Sequence, residues 1–308
     1  MPSWNELLDE CRTTGGGNDV VRRKYLAKLS EHTKRNVIIY YSGWLQKPEL
    51  LKQGVRGFDV NDADKNGFMA TIHKLDRSLG LDLLLHTPGG DSAATESLVD
   101  YLRSMFGANI RAIVPQLAMS AGTMIALSCK EIVMGKHSSL GPIDPQLGGV
   151  PAHGLIEEAQ NAIREVQKAP HTAPLYQMLF AKYGPTTLGE AQKAIDWSTR
   201  MVTEWLKSGM FSDDPATAAA KADKVTSGLG DHALTLSHAR HISIKMASDL
   251  GIKVVPLEDD HKLQEAVLSV HHACIQTFSA TAAIKLIENH NGVAYIDTRV
   301  PTLVAVPG

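Results

Sequence analysis

Apolar positions along this chain alternate between two kinds of run. Short, continuous stretches rich in β-branched and aromatic residues, NVIIYYSGW (36–44), LDLLLHT (81–87), NIRAIVP (109–115) and EIVMG (131–135), predict buried strands. Between them the apolar residues take helical spacing. Residues 57–80 predict a loop entering a helix. SAATESLVDYLRSMFG (92–107) predicts a helix with Ala94, Leu98, Tyr101, Leu102 and Met105 inward, and SAGTMIALSC (120–129) predicts another. Strands alternating with helices at this spacing predict repeated β-α units with parallel crossovers, an α/β architecture and not a sandwich.

The flanks read differently. Two helices, 3–12 and 19–35, are separated by the glycine-rich TTGGGND and predict an N-terminal helical appendage over 1–35. After Gly149 the pattern turns helical over 154–168, 173–183 and 187–208, with prolines in KAPHTAP and YGPTT stopping each helix. An alanine-rich helix over 213–228 follows, then a helix over 235–251 whose glycine leads into a strand at 252–257. A long amphipathic helix over 261–290 and a short strand over 292–300 complete the reading. The expected organisation is therefore the appendage, an α/β domain over 36–257 with a helical C-terminal half, and a C-terminal helix and short strand over 258–308. That last unit is expected to pack on the core or serve in oligomerisation.

Composition narrows the class only a little. With 308 residues, 44% hydrophobic and 21% charged, the chain has an ordinary globular make-up. A formal net charge of −2 argues against nucleic acid as the main partner. The basic run VVRRKYLAKL (20–29) reads as a solvated helix face. Three widely spaced cysteines, Cys11, Cys129 and Cys274, predict neither a disulfide framework nor a zinc site and fit a reducing compartment. The start has no signal-peptide pattern, and no stretch approaches the roughly 18 apolar residues a membrane span needs. A soluble, cytoplasmic protein is expected.

Chemistry concentrates in residues 83–149. HTPGGDS (86–92) is a strand end breaking into a diglycine turn before a helix, where successive peptide N–H groups can converge on one point. AMSAGTM (118–124) sets Ser120 between small residues at a helix start, a loosened nucleophile elbow. Alone, Ser120 reads as a helix N-cap, and Asp91 or Ser92 as the cap after the turn. Together they offer a nucleophile and a place for an oxyanion, which acyl transfer requires. HSSLGPIDPQ (137–146) follows.

The succession strand–PGG–helix, P-x-x-A-x-S-A-G-T, strand, L-G-P-I-D-P-Q resembles the Clp-protease/crotonase superfamily. Within it the segment is most similar to the serine dehydrogenase proteinase family, a distant relative of the Clp protease and of signal peptide peptidase A. The match is strong over 83–149 and weaker to about residue 257. The resemblance implies a Clp/crotonase-like α/β fold and a serine peptidase acting on peptide or unfolded protein. It makes Ser120 the nucleophile, Gly89, Gly90 and Ala121 the oxyanion donors, and Asp144 the triad carboxylate. It also implies a homo-oligomer, with no cofactor or metal. For the base, His232 in a loop before the last core helix is the first expectation. His238, His241 and His137 remain alternatives, as does a neutral lysine, Lys168 or Lys136. Two rival readings stand beside this one, a crotonase-like acyl-CoA enzyme and a non-catalytic scaffold.

Two other patterns read as structural. Asp62-x-Asp64-x-Asn66-Gly67 matches half an EF-hand loop, but its twelfth position is His73 where a glutamate is needed, so Asp62 or Asp64 is expected to cap the next helix. His271-His272 on the long helix reads as packing and surface.

Overall fold

The computed structural model describes residues 4–14, 17–230 and 237–299. In chain order its strands are β1 (Asn36–Ser42), β2 (Leu81–His86), β3 (Ile110–Val114), β4 (Leu117–Ala118), β5 (Glu131–Met134), β6 (Ser139–Leu140), β7 (Gln146–Leu147), β8 (Val150–Pro151), β9 (Ile242–Ser243), β10 (Val254–Pro256), β11 (Ala283–Asn289) and β12 (Ala294–Thr298). Seven of them form one sheet in the order β10-β5-β3-β2-β1-β11-β12. The five from β10 to β1 pair in parallel, whereas β11 and β12 add antiparallel to the β1 edge.

Every residue of β1 and β2 is buried, which is why they read as unbroken apolar runs: helices cover both faces. Alternate residues go to opposite sides. Ile38, Tyr40, Leu83 and Leu85 join a core with the helices Asp64–Ile72, Ser92–Phe106, Ala121–Leu127, Thr187–Ser208 and Pro215–Gly230. Val37, Ile39, Tyr41 and Leu84 join a second core with the helices Trp4–Thr13, Gly17–Thr33 and His261–Ala280. The expected α/β class with repeated β-α units and a helical stretch after Gly149 is what the structure has.

Several local expectations are corrected. The helix over 261–290 stops at Ala280, and residues 283–289 are β11, paired with β1 from Ile38↔Asn289 to Ser42↔Lys285. AIKLIEN is buried throughout and carries no strand alternation of its own, so pairing with the edge of β1 decides its state. The helix over 235–251 shrinks to Ile244–Leu250, capped by Ser243, because residues 242–243 pair with β6 as β9. His238 and His241 therefore lie on an irregular segment and not on a helix face. The basic run is not wholly solvated: Arg22 is fully buried and donates to Glu288 of β11 and to Thr277. Neither Asp62 nor Asp64 caps the next helix, whose N-cap position is Ala63 with no side-chain cap bond. Asp64 turns inward, accepting from Tyr40 Oη at 2.6 Å and pairing with buried Lys285 at 2.6 Å.

Candidate active site

β2 delivers the diglycine turn. Thr87 bridges to Ala118, with Thr87 N–H donating to Leu117 O and Met119 N–H donating to Thr87 O, both at 3.0 Å. The turn is clamped from its other side by Val60, whose N–H donates to Gly89 O (2.8 Å) and whose carbonyl accepts from Asp91 N–H (2.9 Å). Both glycines are required by close approach. A Cβ on Gly90 would lie 2.3 Å from Val60 N, and one on Gly89, at φ 101°, would lie 2.6 Å from Ser120 Cβ and 3.1 Å from Ala121 N. Asp91 then caps the helix Ser92–Phe106 by accepting from Ala94 N–H at 2.7 Å.

The clamp is itself braced. Lys285 donates to Asp59 O (2.7 Å) as well as to Asp64, holding the loop that carries Val60. Burial pushes the Lys285 ammonium below its usual range, against the opposing pull of Asp64. Burial, then Asp64, pushes the Tyr40 phenol well up.

Ser120 stands at φ 50° and ψ −116°, a left-handed conformation that a non-glycine residue adopts only under constraint. It occupies the N-cap position of the helix Ala121–Leu127, yet its hydroxyl makes no cap bond. The bland reading of Ser120 as a capping serine therefore fails on its side chain. A strained serine at a strand-to-helix turn is the geometry of a nucleophile elbow, which thrusts the hydroxyl out of the backbone ladder. Among the described residues no acceptor takes the N–H of Gly90 or of Ala121, whereas Gly89 N–H is engaged by Thr87 Oγ1 at 3.2 Å.

Asp144 is 1% exposed and its Oδ1 lies 2.7 Å from His238 Nδ1. The GPIDP loop carrying it is stitched down by its neighbours. Gly141 N–H donates to Thr123 Oγ1 (2.8 Å), which itself donates to Ala118 O (2.7 Å); Ser198 Oγ donates to Ile143 O (3.2 Å). A three-stranded sheet, β4-β6-β9, gathers these segments. β4 leads into Ser120, β6 into Asp144, and β9 follows His238. A cavity of about 480 Å³ is lined by Ser120, Gly89, Gly90, Asp144 and His238 together, with Trp197 in its wall. Trp197 Nε1 donates to Glu96 at 3.2 Å.

Comparison with known proteins gives the family. The model of the family described as "ClpP-like SDH-type serine proteinase" matches residues 18–272. The chain belongs to this family. Two uncharacterized proteins of Methanocaldococcus jannaschii are similar to it. MJ1495 is 31% identical over 196 residues, 63% of this chain and 61% of the relative. MJ0137 is 28% identical over 199 residues, 65% of this chain and 64% of the relative. The match thus spans less than two thirds of either relative's own length.

In this member of the ClpP-like family the expected site residues Ser120, Gly89, Gly90 and Asp144 border one cavity, and Ala121 N lies against Gly89. His232 lies outside the described residues. His238 reaches Asp144, whereas His241 and His137 are exposed and do not line that cavity. Lys168 is a surface residue paired with Glu165 at 3.2 Å, and Lys136 is likewise exposed, so neither has the burial a neutral lysine base needs. Sequence reasoning missed Thr123, Trp197 and the Val60 clamp. The small-residue context of Gly122, where a Cβ would lie 2.5 Å from Thr87 Cγ2, was the one legible hint of that packing. Among the described residues no group of three or more His, Cys, Asp or Glu could hold a metal ion, and no helix is long and apolar enough to cross a membrane.

Proposed function

We propose that this chain hydrolyses peptide bonds through an acyl-enzyme on Ser120. The observation that carries the reading is the strained Ser120, its hydroxyl free of any cap bond, opening on the cavity that the Asp144–His238 pair also lines. A carboxylate only accepts, so Asp144 holds the proton on His238 Nδ1 and leaves the Nε2 lone pair as base. Nε2 takes the Ser120 Oγ proton as Oγ attacks the scissile carbonyl carbon. The carbonyl π electrons move onto oxygen, and the N–H groups of Gly90 and Ala121 donate to that oxyanion. Collapse breaks the C–N bond, and His238 returns the proton to the leaving amine. Water, deprotonated by the same imidazole, then attacks the acyl carbon, the bond to Oγ breaks, and the imidazole returns the proton to Ser120.

The carboxylate contact favours His238 over His232 as the base. The unengaged N–H of Gly90, beside the engaged one of Gly89, favours Gly90 with Ala121 as the oxyanion pair. A fluorophosphonate probe tests the reading: the protein is labelled, Ser120→Ala is not, and His238→Ala is labelled far more slowly. Labelling indifferent to Ser120 overturns the peptidase. Labelling abolished in His232→Ala but normal in His238→Ala overturns only the choice of base.

A further inference from the structure

Pro88, Gln146 and His238 line the proposed catalytic cavity and also a second one of about 630 Å³. That size is within the range of built ligand sites. Its wall is set by the exit from β1. A Cβ on Gly43 would lie 2.7 Å from the Phe278 ring, so the chain turns hard against the helix His261–Ala280 and sends Trp44 and Leu45 outward. The Trp44 ring rests on His86 with centroids 4.4 Å apart. His86 is fully buried and is backed in turn by Tyr41 at 5.4 Å and His271 at 5.3 Å. The indole is therefore a shelf on a packed ring stack. Leu45 is 44% exposed beside it, and Met119, next to the strained serine, lines the same space. Among the described lining residues there is no Asp, Glu, Lys or Arg, in contrast to the catalytic cavity, which carries Asp59, Asp91 and Asp144.

We propose that this second cavity is a substrate subsite. It takes a large apolar or aromatic side chain of an extended polypeptide whose scissile bond lies at Ser120. The inference rests on the peptidase reading for the direction of the chain through Ser120. The two cavities adjoin, sharing Pro88, Gln146 and His238 in their walls, which identifies the occupant as another part of the same substrate. The wall, which among its described residues has no Asp, Glu, Lys or Arg, and its ring shelf identify the side chain, because burying a charge there without a partner is costly whereas an aromatic ring stacks.

The probe is a set of fluorescein-labelled decapeptides of Ala, Gly and Ser with one Phe moved along the sequence, bound to the Ser120→Ala protein and followed by anisotropy. One Phe position is expected to bind about tenfold or more tighter than the rest. In Ser120→Ala/Trp44→Ala that advantage disappears. Ser120→Ala/Leu45→Asp, which disturbs no packing because Leu45 is exposed, is expected to lose it too and to prefer Lys at that position. Leu79→Ala, a change of an exposed leucine elsewhere, leaves the profile as it was. A profile that is flat, absent, or unaltered by both Trp44→Ala and Leu45→Asp overturns the subsite. If Ser120 proves unreactive to the fluorophosphonate while the profile responds as stated, the peptidase reading falls and the apolar peptide site stands.

Discussion

Two histidines flank the diglycine turn and differ in everything except residue type. His86 lies two residues before Pro88, fully buried, and neither ring nitrogen has a hydrogen-bond partner among the described residues. Burial holds it neutral, with its pKa pushed down to about 3. His238 lies across the cavity, with 23% of its side chain exposed and Nδ1 on the buried Asp144. On the proposed mechanism the contrast shows what a base needs: a carboxylate to fix the tautomer and a second nitrogen for the proton, not proximity to the turn. His86 has ring neighbours, and only the Leu117 backbone weakly opposes the effect of burial, with no carboxylate against it, so it packs.

The largest test of that contrast is His238→Ala against His86→Phe. His238→Ala is expected to slow peptide hydrolysis by about 10³- to 10⁴-fold, and Asp144→Asn by a comparable factor through the wrong tautomer. His86→Phe is expected to cost less than about threefold, and equal losses in kcat/KM would erase the distinction. Next comes Gly90→Ala. Its Cβ cannot coexist with Val60 N at 2.3 Å, so the turn must shift and its N–H with it. A drop in kcat of about 10²- to 10³-fold with a smaller change in KM is expected.

The Asp64–Lys285 pair adds an intermediate case, buried yet partnered. Lys285→Met leaves Asp64 a lone buried charge and should lower unfolding free energy by about 3–5 kcal/mol, measured by denaturant titration. Asp64→Asn/Lys285→Met, which removes both charges, should recover much of it. A double variant as unstable as the single one would mean that the lysine's packing and not its charge matters.

The smallest effect concerns pH. Above the unfolded histidine pKa near 6.5, His86 is neutral in both states and contributes nothing. Below it the unfolded chain binds a proton that the folded one refuses. Stability therefore falls from about pH 6.5 toward pH 3, by up to about 1.4 kcal/mol per pH unit for this one group. His271, whose pKa is lowered by burial and then by His86, adds in the same direction. His86→Phe should flatten the fall of the thermal midpoint between pH 7 and pH 5; an unchanged slope would show that His86 is not held neutral.

Much of the fold was legible because its core strands are buried on both faces and its helices keep a single apolar stripe. The errors fell where one segment suits two structures. AIKLIEN continues a helical pattern from 261 without an alternation to mark a strand, and the partner edge of β1 is 245 or so residues away in the chain. The acidic run 62–67 looked like a cap or half a cation loop, whereas Asp64 is held by Tyr40 and Lys285 from two different strands. In the candidate site, the turn and the serine were readable together because each carries its own local signature.

The sequence by itself determined the alternation of strands and helices, the diglycine break after β2 and a serine with small neighbours at the next helix start. These are local: they depend on periodicity, on backbone freedom at glycine and on steric room within a few residues. Tertiary structure alone decided that Ser120 is strained and makes no cap bond, that among the described residues Gly90 N–H has no acceptor while Gly89 N–H is engaged, and that His238 meets Asp144. Asp144 and His238 are 94 residues apart, and the sheet that joins their segments is built of strands two residues long. Strands that short carry no periodic signal, so their pairing is set by the surrounding packing.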